Sequence, residues 1–302
     1  MIENHKVQDR RKLKRSRAWW RVLAVISISI LVIIFIGKFD GFDERPHIAA
    51  LDVENIIVDD QDRLELIKEI ASDPSAKALI VYINSPGGTV VGGESLYFAL
   101  RNVAKKKPVV AVMRELATSA GYMIALGADH IIARESSITG SIGVLMQSTD
   151  LTGLLDKLGI KPESVKSSPL KAQPNPLEPL SDDARRVVRE IVRDMQDMFA
   201  GLVKDRRNLG DENARQVSNG RIFTGRQALS NGLIDSIGGE DEAILWLKRE
   251  KYLSDDLPVV QISAHHDGRT LREILEYLFG ITMFSERLRL DGLISLWHPN
   301  IR

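Results

Sequence analysis

"AKALIVYINSPGG", residues 76–88, runs without polar alternation from Ala78 to Ile83 and stops at Ser-Pro-Gly-Gly. A strand with one wet face alternates apolar and polar residues, whereas a strand covered on both faces does not. Residues 76–84 therefore predict a buried strand in a sheet with helices on both sides. Upstream, "HIAALDV" (47–53) reads as a first strand. Leu64, Ile67 and Ile70 then follow at helical spacing until Pro74 stops the helix. Downstream, "GGESLYFALRNVAKKK" (92–107) predicts a helix, "PVVAVM" (108–113) a buried strand, and "TSAGYMIALGA" (118–128) the start of another helix. "DHIIAR" (129–134) and "GSIGVLM" (140–146) predict two further strands. Strands alternating with helices place the chain in the α/β class.

The pattern changes at Ser181. Residues 181–208 predict one long amphipathic helix, with Ser181 as N-cap, Asp182 and Asp183 in the first turn, and a stripe of Val188, Ile191, Val192, Met195, Met198 and Leu202. "TGRQALSNGLIDSIGG" (224–239) reads as a short helix, a tight turn and a strand. "LPVVQISA" (257–264) is a weak strand, and amphipathic helical pieces follow it.

Composition narrows the function. The 41 basic and 41 acidic residues cancel, which gives no electrostatic case for a nucleic-acid partner. With no cysteine, disulfides, thiol nucleophiles and thiolate metal sites are excluded. The basic residues are unevenly placed: Lys6, Arg10, Arg11, Lys12, Lys14, Arg15, Arg17 and Arg21 face only Glu3 and Asp9. The uncharged run "VLAVISISILVIIFIG" (22–37) follows. Together with Ala18, Trp19 and Trp20 it reaches the ~17–25 residues that cross a bilayer core. No Ala-x-Ala-like cleavage site follows, which favours an uncleaved anchor over a removed leader. The positive-inside rule places the N-terminus in the cytoplasm and everything after about Lys38 outside.

Two glycine-bearing strand-to-helix junctions could carry chemistry. In "INSPGG" (83–88), consecutive glycines leave backbone N–H groups open to a ligand, or simply make a tight turn. In "TSAGY" (118–122), Ser119 lies near a helix N-terminus that favours developing negative charge. One βαβ unit separates them, so both loops fall at the same end of the sheet. Such a pair suits a nucleophile beside an oxyanion hole. None of His5, His47, His130, His265, His266 and His298 is well placed as its base. A lysine with a lowered pKa is the other solution. Lys171, in the proline-rich "KSSPLKAQPNPLEPLS" (166–181), is the best candidate, although an ordinary lysine is a solvated surface residue.

The blocks "ALIVYINSPGG", "TSAGYMIALGADHIIA", "TGSIGVL" and "GRIFTGRQALSNGLIDSIGG" stand in one order over about residues 48–247. On them the chain resembles the signal peptide peptidase A family, bacterial membrane-anchored serine proteases of the ClpP/crotonase-like fold. The resemblance implies an α/β spiral of repeated ββα units behind one N-terminal transmembrane helix, with no cofactor and no metal. It maps the nucleophile onto Ser119, the base onto Lys171, an orienting hydroxyl near the lysine amine onto Ser141, and the oxyanion N–H groups onto Gly88 and Ala120. It further implies hydrophobic peptide substrates, notably signal-peptide remnants, and a homo-oligomeric ring in which neighbours complete each other's sites. Position 144, where related ClpP proteases carry histidine nearby, is Val. The family often has two glycines after the serine. Here Ala120 keeps its N–H, and its methyl group is expected to trim the approach of a substrate.

The resulting map is a cytoplasmic basic tail (1–17), a membrane anchor (18–37), a linker (38–46), a protease domain (47–250) outside the inner membrane, in the periplasm, and a C-terminal extension (251–302) suited to oligomer contact. An acyl-CoA-handling enzyme of the crotonase type and a non-proteolytic membrane scaffold are the alternatives.

Overall fold

The computed structural model describes residues 45–251, 253–254 and 256–263, the helical residues 19–20, 23–25 and 27–29, and the backbone of 294–296. The chain divides into two units, Met1–Pro46 and His47–Arg302. In the first, Trp19 and Trp20 are helical and exposed. No helix among the described residues is long and apolar enough to cross a membrane. Most of the anchor expected over 18–37 lies outside the described residues, as do the basic tail, most of the linker and the helical pieces expected beyond 264.

The second unit is a mixed α/β domain. Its strands are β1 (His47–Ile57), β2 (Ala76–Thr89), β3 (Val109–Thr118), β4 (His130–Ala133), β5 (Ile138–Gly140), β6 (Ile222–Thr224), β7 (Ser236–Ile237), β8 (Val259–Gln261) and β9 (Ile294–Leu296). The helices between them are α1 (Gln61–Ser72), α2 (Val90–Ala104), α3 (Ala120–Ala125), α4 (Thr152–Lys157), α5 (Asp182–Arg207), α6 (Asp211–Val217), α7 (Gly225–Ser230) and α8 (Glu240–Lys251). The sheet runs β6-β5-β3-β2-β1-β8, with β4 joining β3 to β7 and β9 lying against β2. Pairing is parallel except for β5–β6 and β2–β9.

Successive side chains of a strand point to opposite faces, and here both faces are dry. Leu79, Val81 and Ile83 of β2 join one core with α1, α2, α3 and α5, while Ala78, Ile80 and Tyr82 join a second with Ala243 and Leu247 of α8. This double burial accounts for the unbroken apolar run. Helix starts follow side-chain capping: Asp60 accepts from Arg63 N–H, Thr89 from Gly92 N–H, and Ser181 from Ala184 N–H. The long helix ends on Asn208 in the left-handed conformation.

One expected strand is displaced. "GSIGVLM" (140–146) is not a strand. β5 lies earlier, at Ile138–Gly140, and the chain then turns at Gly140 (φ 84°) and Ser141 (φ 50°). Two consecutive left-handed residues cannot continue an extended ladder. Ile142 is nonetheless fully buried, so the apolar signal was real but belonged to a turn.

Candidate active site

β3 pairs with β4 over its first half and with β5 over its second, and ends where Ser119 turns the chain into α3. Ser119 has φ 56° and ψ −119°, a conformation that costs an L-residue about 1–3 kcal/mol. The surroundings enforce it. Ser119 N–H donates to Gly140 O (2.8 Å), and Ser119 O accepts from Met123 N–H (2.9 Å). The preceding Thr118 Oγ1 donates to Pro86 O (3.0 Å), tying the turn to the Ser-Pro-Gly-Gly loop. A sharp strand-to-helix elbow of this kind presents a serine hydroxyl at the end of a sheet.

The glycine loop is fixed just as firmly. Ser85 Oγ donates to Asn55 O (2.5 Å) and accepts from Gly87 N–H (3.1 Å). Gly87 takes φ 110°. A Cβ on Gly88 would lie 1.8 Å from Ile57 O, so only glycine lets β1 and β2 approach this closely. Gly88, near the end of β2, and Ser119, just after β3, thus sit at one end of the sheet. Ala120, as the first residue of α3, has an N–H with no intrahelical acceptor. Its methyl group is fully buried and packs toward α2, since a Cβ at Gly93 would come within 3.0 Å of it. The expectation that this methyl trims substrate approach is therefore corrected: it fills the helix–helix contact instead.

Ser141 is joined to Ser119 through one peptide unit, because the neighbouring Gly140 holds the Ser119 N–H. Its own N–H donates to Arg221 O (2.8 Å), and it is 8% exposed. Gly88, Ser119, Ala120 and Ser141 are thus assembled at one end of the sheet. No hydrogen bond among the described residues joins the Lys171 side chain to them. Lys171 lies exposed on the excursion between β5 and α5, where its backbone N–H donates to Ser168 O (3.1 Å) and its side chain bonds to no described residue. The excursion is organised around Glu178, which accepts from Lys166 and from Gln173 Nε2 (2.8 Å). The Lys166 hydrogen bond holds the Glu178 carboxyl below the usual range.

The histidines within the described residues lie at the opposite sheet end. His130 pairs with Val110, at the start of β3, whereas Ser119 follows its last residue. It is tied to Ser236 Oγ (3.0 Å) and stacked on Trp246. His47 begins β1 beside Asp73. His5, His265, His266 and His298 lie outside the described residues. Among the described residues no cluster of His, Asp or Glu could hold a metal ion.

Sequence reasoning missed the buried hydroxyls that brace the elbow. Thr139 Oγ1 donates to Ala117 O (2.7 Å), and Ser137 Oγ donates to Arg114 O (2.6 Å), so β5 grips the last residues of β3 by side chains as well as backbone. The signal was present as the small hydroxyl residues of "SSITGS" (136–141), but short polar residues read as loop.

The family model for peptidase family S49 matches residues 101–254, and that for Clp protease matches 60–139. An Enterococcus faecium protein provisionally named signal peptide peptidase SppA is 35% identical over 196 residues, covering 65% of this chain and 57% of that one. A Synechocystis protein provisionally named a protease is 36% identical over 204 residues, covering 67% and 73%. Among solved structures, an alanine mutant of the membrane-bound stomatin-specific protease 1510-N superposes with TM-score 0.50 at 15% identity, covering 72% of this chain and 98% of that one, a likeness of fold. With the family model spanning half of the sequence and the serine elbow inside that span, the chain belongs to peptidase family S49.

Proposed function

We propose that this chain is a membrane-tethered serine endopeptidase in which Ser119 is the nucleophile and Lys171 of a neighbouring copy is the general base. The observation that carries the reading is the strained elbow at Ser119, braced by Gly140 and Thr118 beside the Gly88 loop. Strain of this kind persists only where the surroundings over-determine it. Neutral Lys171 takes the Ser119 proton as Oγ attacks a peptide carbonyl. Backbone N–H groups of Gly88 and Ala120 stabilise the oxyanion; the protonated lysine gives its proton to the leaving amine as the C–N bond breaks and the acyl-enzyme forms, and the lysine, neutral again, activates the water that releases the acyl group and restores the Ser119 hydroxyl. The Ser141 hydroxyl, at the rim, orients the amine.

The exposed position of Lys171 supports a base supplied between copies. Its excursion carries outward Leu154, Leu158, Ile160 and Leu170, and α5 adds Val187 and Ile191. A scatter of large apolar side chains on one segment suits contact with another copy better than contact with water. We read the domain as the ββα spiral of a ring-forming protease, held at the outer face of the inner membrane by residues 18–37. Such a tether raises the effective concentration of membrane-borne apolar peptides, including signal-peptide remnants.

Complementation tests the dyad. Ser119→Ala and Lys171→Ala are each expected to lower cleavage of a fluorogenic apolar peptide by at least ~10³-fold. Mixing the two proteins under subunit exchange is expected to restore a measurable fraction. Silence of mixed oligomers would return the lysine to its own chain, and normal turnover of Lys171→Ala would remove it from the mechanism.

A further inference from the structure

The proposed base is carried on a loop that closes on itself. Lys166 and Glu178 stand 12 residues apart and form an ion pair between half-buried side chains. The same Glu178 carboxylate accepts from Gln173 Nε2 (2.8 Å) and from the Ser164 hydroxyl. Between its two ends the loop is bonded to itself. Lys171 N–H donates to Ser168 O (3.1 Å), Asn175 Nδ2 to Ala172 O (2.9 Å), and Leu177 N–H to Asn175 Oδ1 (2.9 Å). Ala172, next to the lysine, takes φ 59°, a left-handed conformation that a residue other than glycine keeps only where its neighbours impose it. Leu151 N–H donates to Pro176 O (2.9 Å) and ties the loop to the start of α4. Gln173 and Asn175 are half-buried as well, whereas residues 167–172 are exposed. Lys171 thus stands on the outer turn of a loop whose foot is gathered on one carboxylate.

We infer that Glu178 is a positioning residue for the general base: it gathers Lys166 and Gln173 from either side of Lys171 and so fixes the loop that presents the lysine to Ser119. The inference rests on the reading of Lys171 as the base, and it adds a residue that acts without touching the substrate. Lysine is a point charge on a flexible four-carbon stem, and much of that freedom must be given up before a proton can pass. A base on a wandering loop would rarely come within reach of the hydroxyl, and a misplacement of about 1 Å is already costly to a rate. A lone ion pair between exposed side chains does little to prevent this. Glu178 differs because several donors converge on it, so its removal frees both sides of the loop at once.

The test separates position from fold, using the intact chain in detergent. Glu178→Ala and Lys166→Met are each expected to lower kcat for a fluorogenic apolar peptide at least ~10-fold, with KM within about twofold of the parent. Combining the two is expected to lower kcat no further than either alone, since both break one contact. Exchanging the charges, Lys166→Glu with Glu178→Lys, rebuilds the pair in reverse, with Gln173 turning its amide to offer Oε1. The exchanged protein is expected to return kcat to within about threefold of the parent. A Glu178→Ala protein with full kcat, a defect confined to KM, or an exchange no better than the single variants overturns the inference. Should the exchanged protein fail to fold, Lys166→Arg decides: kcat near the parent upholds the ion pair, and a loss equal to that of Lys166→Met overturns it. Lys171→Ala in the same assay tells the two readings apart. A silent Lys171→Ala beside a fully active Glu178→Ala removes Glu178 and leaves the protease reading intact, whereas normal turnover of Lys171→Ala overturns that reading and the inference with it.

Discussion

Ser119 sits where a glycine would be relaxed, and that gives its conformation a measurable signature. Ser119→Gly and Ser119→Ala both remove the hydroxyl, but only glycine is at ease at φ 56°. Ser119→Gly is expected to be inactive yet more stable than Ser119→Ala by about 1 kcal/mol, a rise in melting temperature of about 2–4 °C for a domain of this size. Equal melting temperatures would mean the elbow is unstrained. Gly88 makes the opposite case: Gly88→Ala drives a methyl group to 1.8 Å from Ile57 O, so β1 must move. Loss of at least ~10²-fold in peptide cleavage is expected, with a destabilisation of about 2–4 kcal/mol by denaturant titration. Both residues were legible in the sequence, because glycines after a buried strand and a serine before a helix are local signals. Ser141 was legible as a residue but not as a backbone. Nothing in "TGSIG" announces that Gly140 and Ser141 both turn left-handed, since that is set by the Arg221 carbonyl arriving from 80 positions away.

At the scale of elements, the far edge of the sheet holds a pH-sensitive contact. Burial is the main cause that pushes the His130 imidazole below its ordinary value, partly opposed by Asp235. A histidine whose folded pKa is depressed binds fewer protons folded than unfolded. Its contribution is therefore complete above the unfolded pKa of about 6.5 and is lost as pH falls below it, at up to ~1.4 kcal/mol per pH unit. His130→Phe keeps the stack on Trp246 and is expected to flatten stability between about pH 6.5 and 5 in thermal melts. An unchanged slope would place the titration elsewhere. Helices were legible where capping is local, as at Ser181. The two short helices α4 and α6 were not read, because each is too brief for a periodic stripe to emerge.

For the whole molecule, the sheet with both faces covered could be read from continuous apolar runs. The position of Lys171 could not, because exposure of a loop is a tertiary fact with no periodicity. On the proposed reading, in which a neighbouring copy supplies Lys171, assembly is part of the chemistry. Leu158→Asp and Ile191→Asp place charges on residues that are already exposed, so the fold should survive. Each is expected to lower the oligomeric state by light scattering and to reduce peptide cleavage at least ~10²-fold, with an unchanged circular dichroism spectrum. Dispersed yet fully active protein would show that one chain suffices.

The hydrogen bonds that hold the elbow also set a schedule. Ser119 is braced by Gly140, and Gly140 is followed by a turn that closes on Arg221. A ribosome extends the chain from the N-terminus, so the serine and its helix emerge some hundred residues before the carbonyl that completes their support. The order of synthesis leaves the Ser119 elbow without that support until the domain is nearly whole.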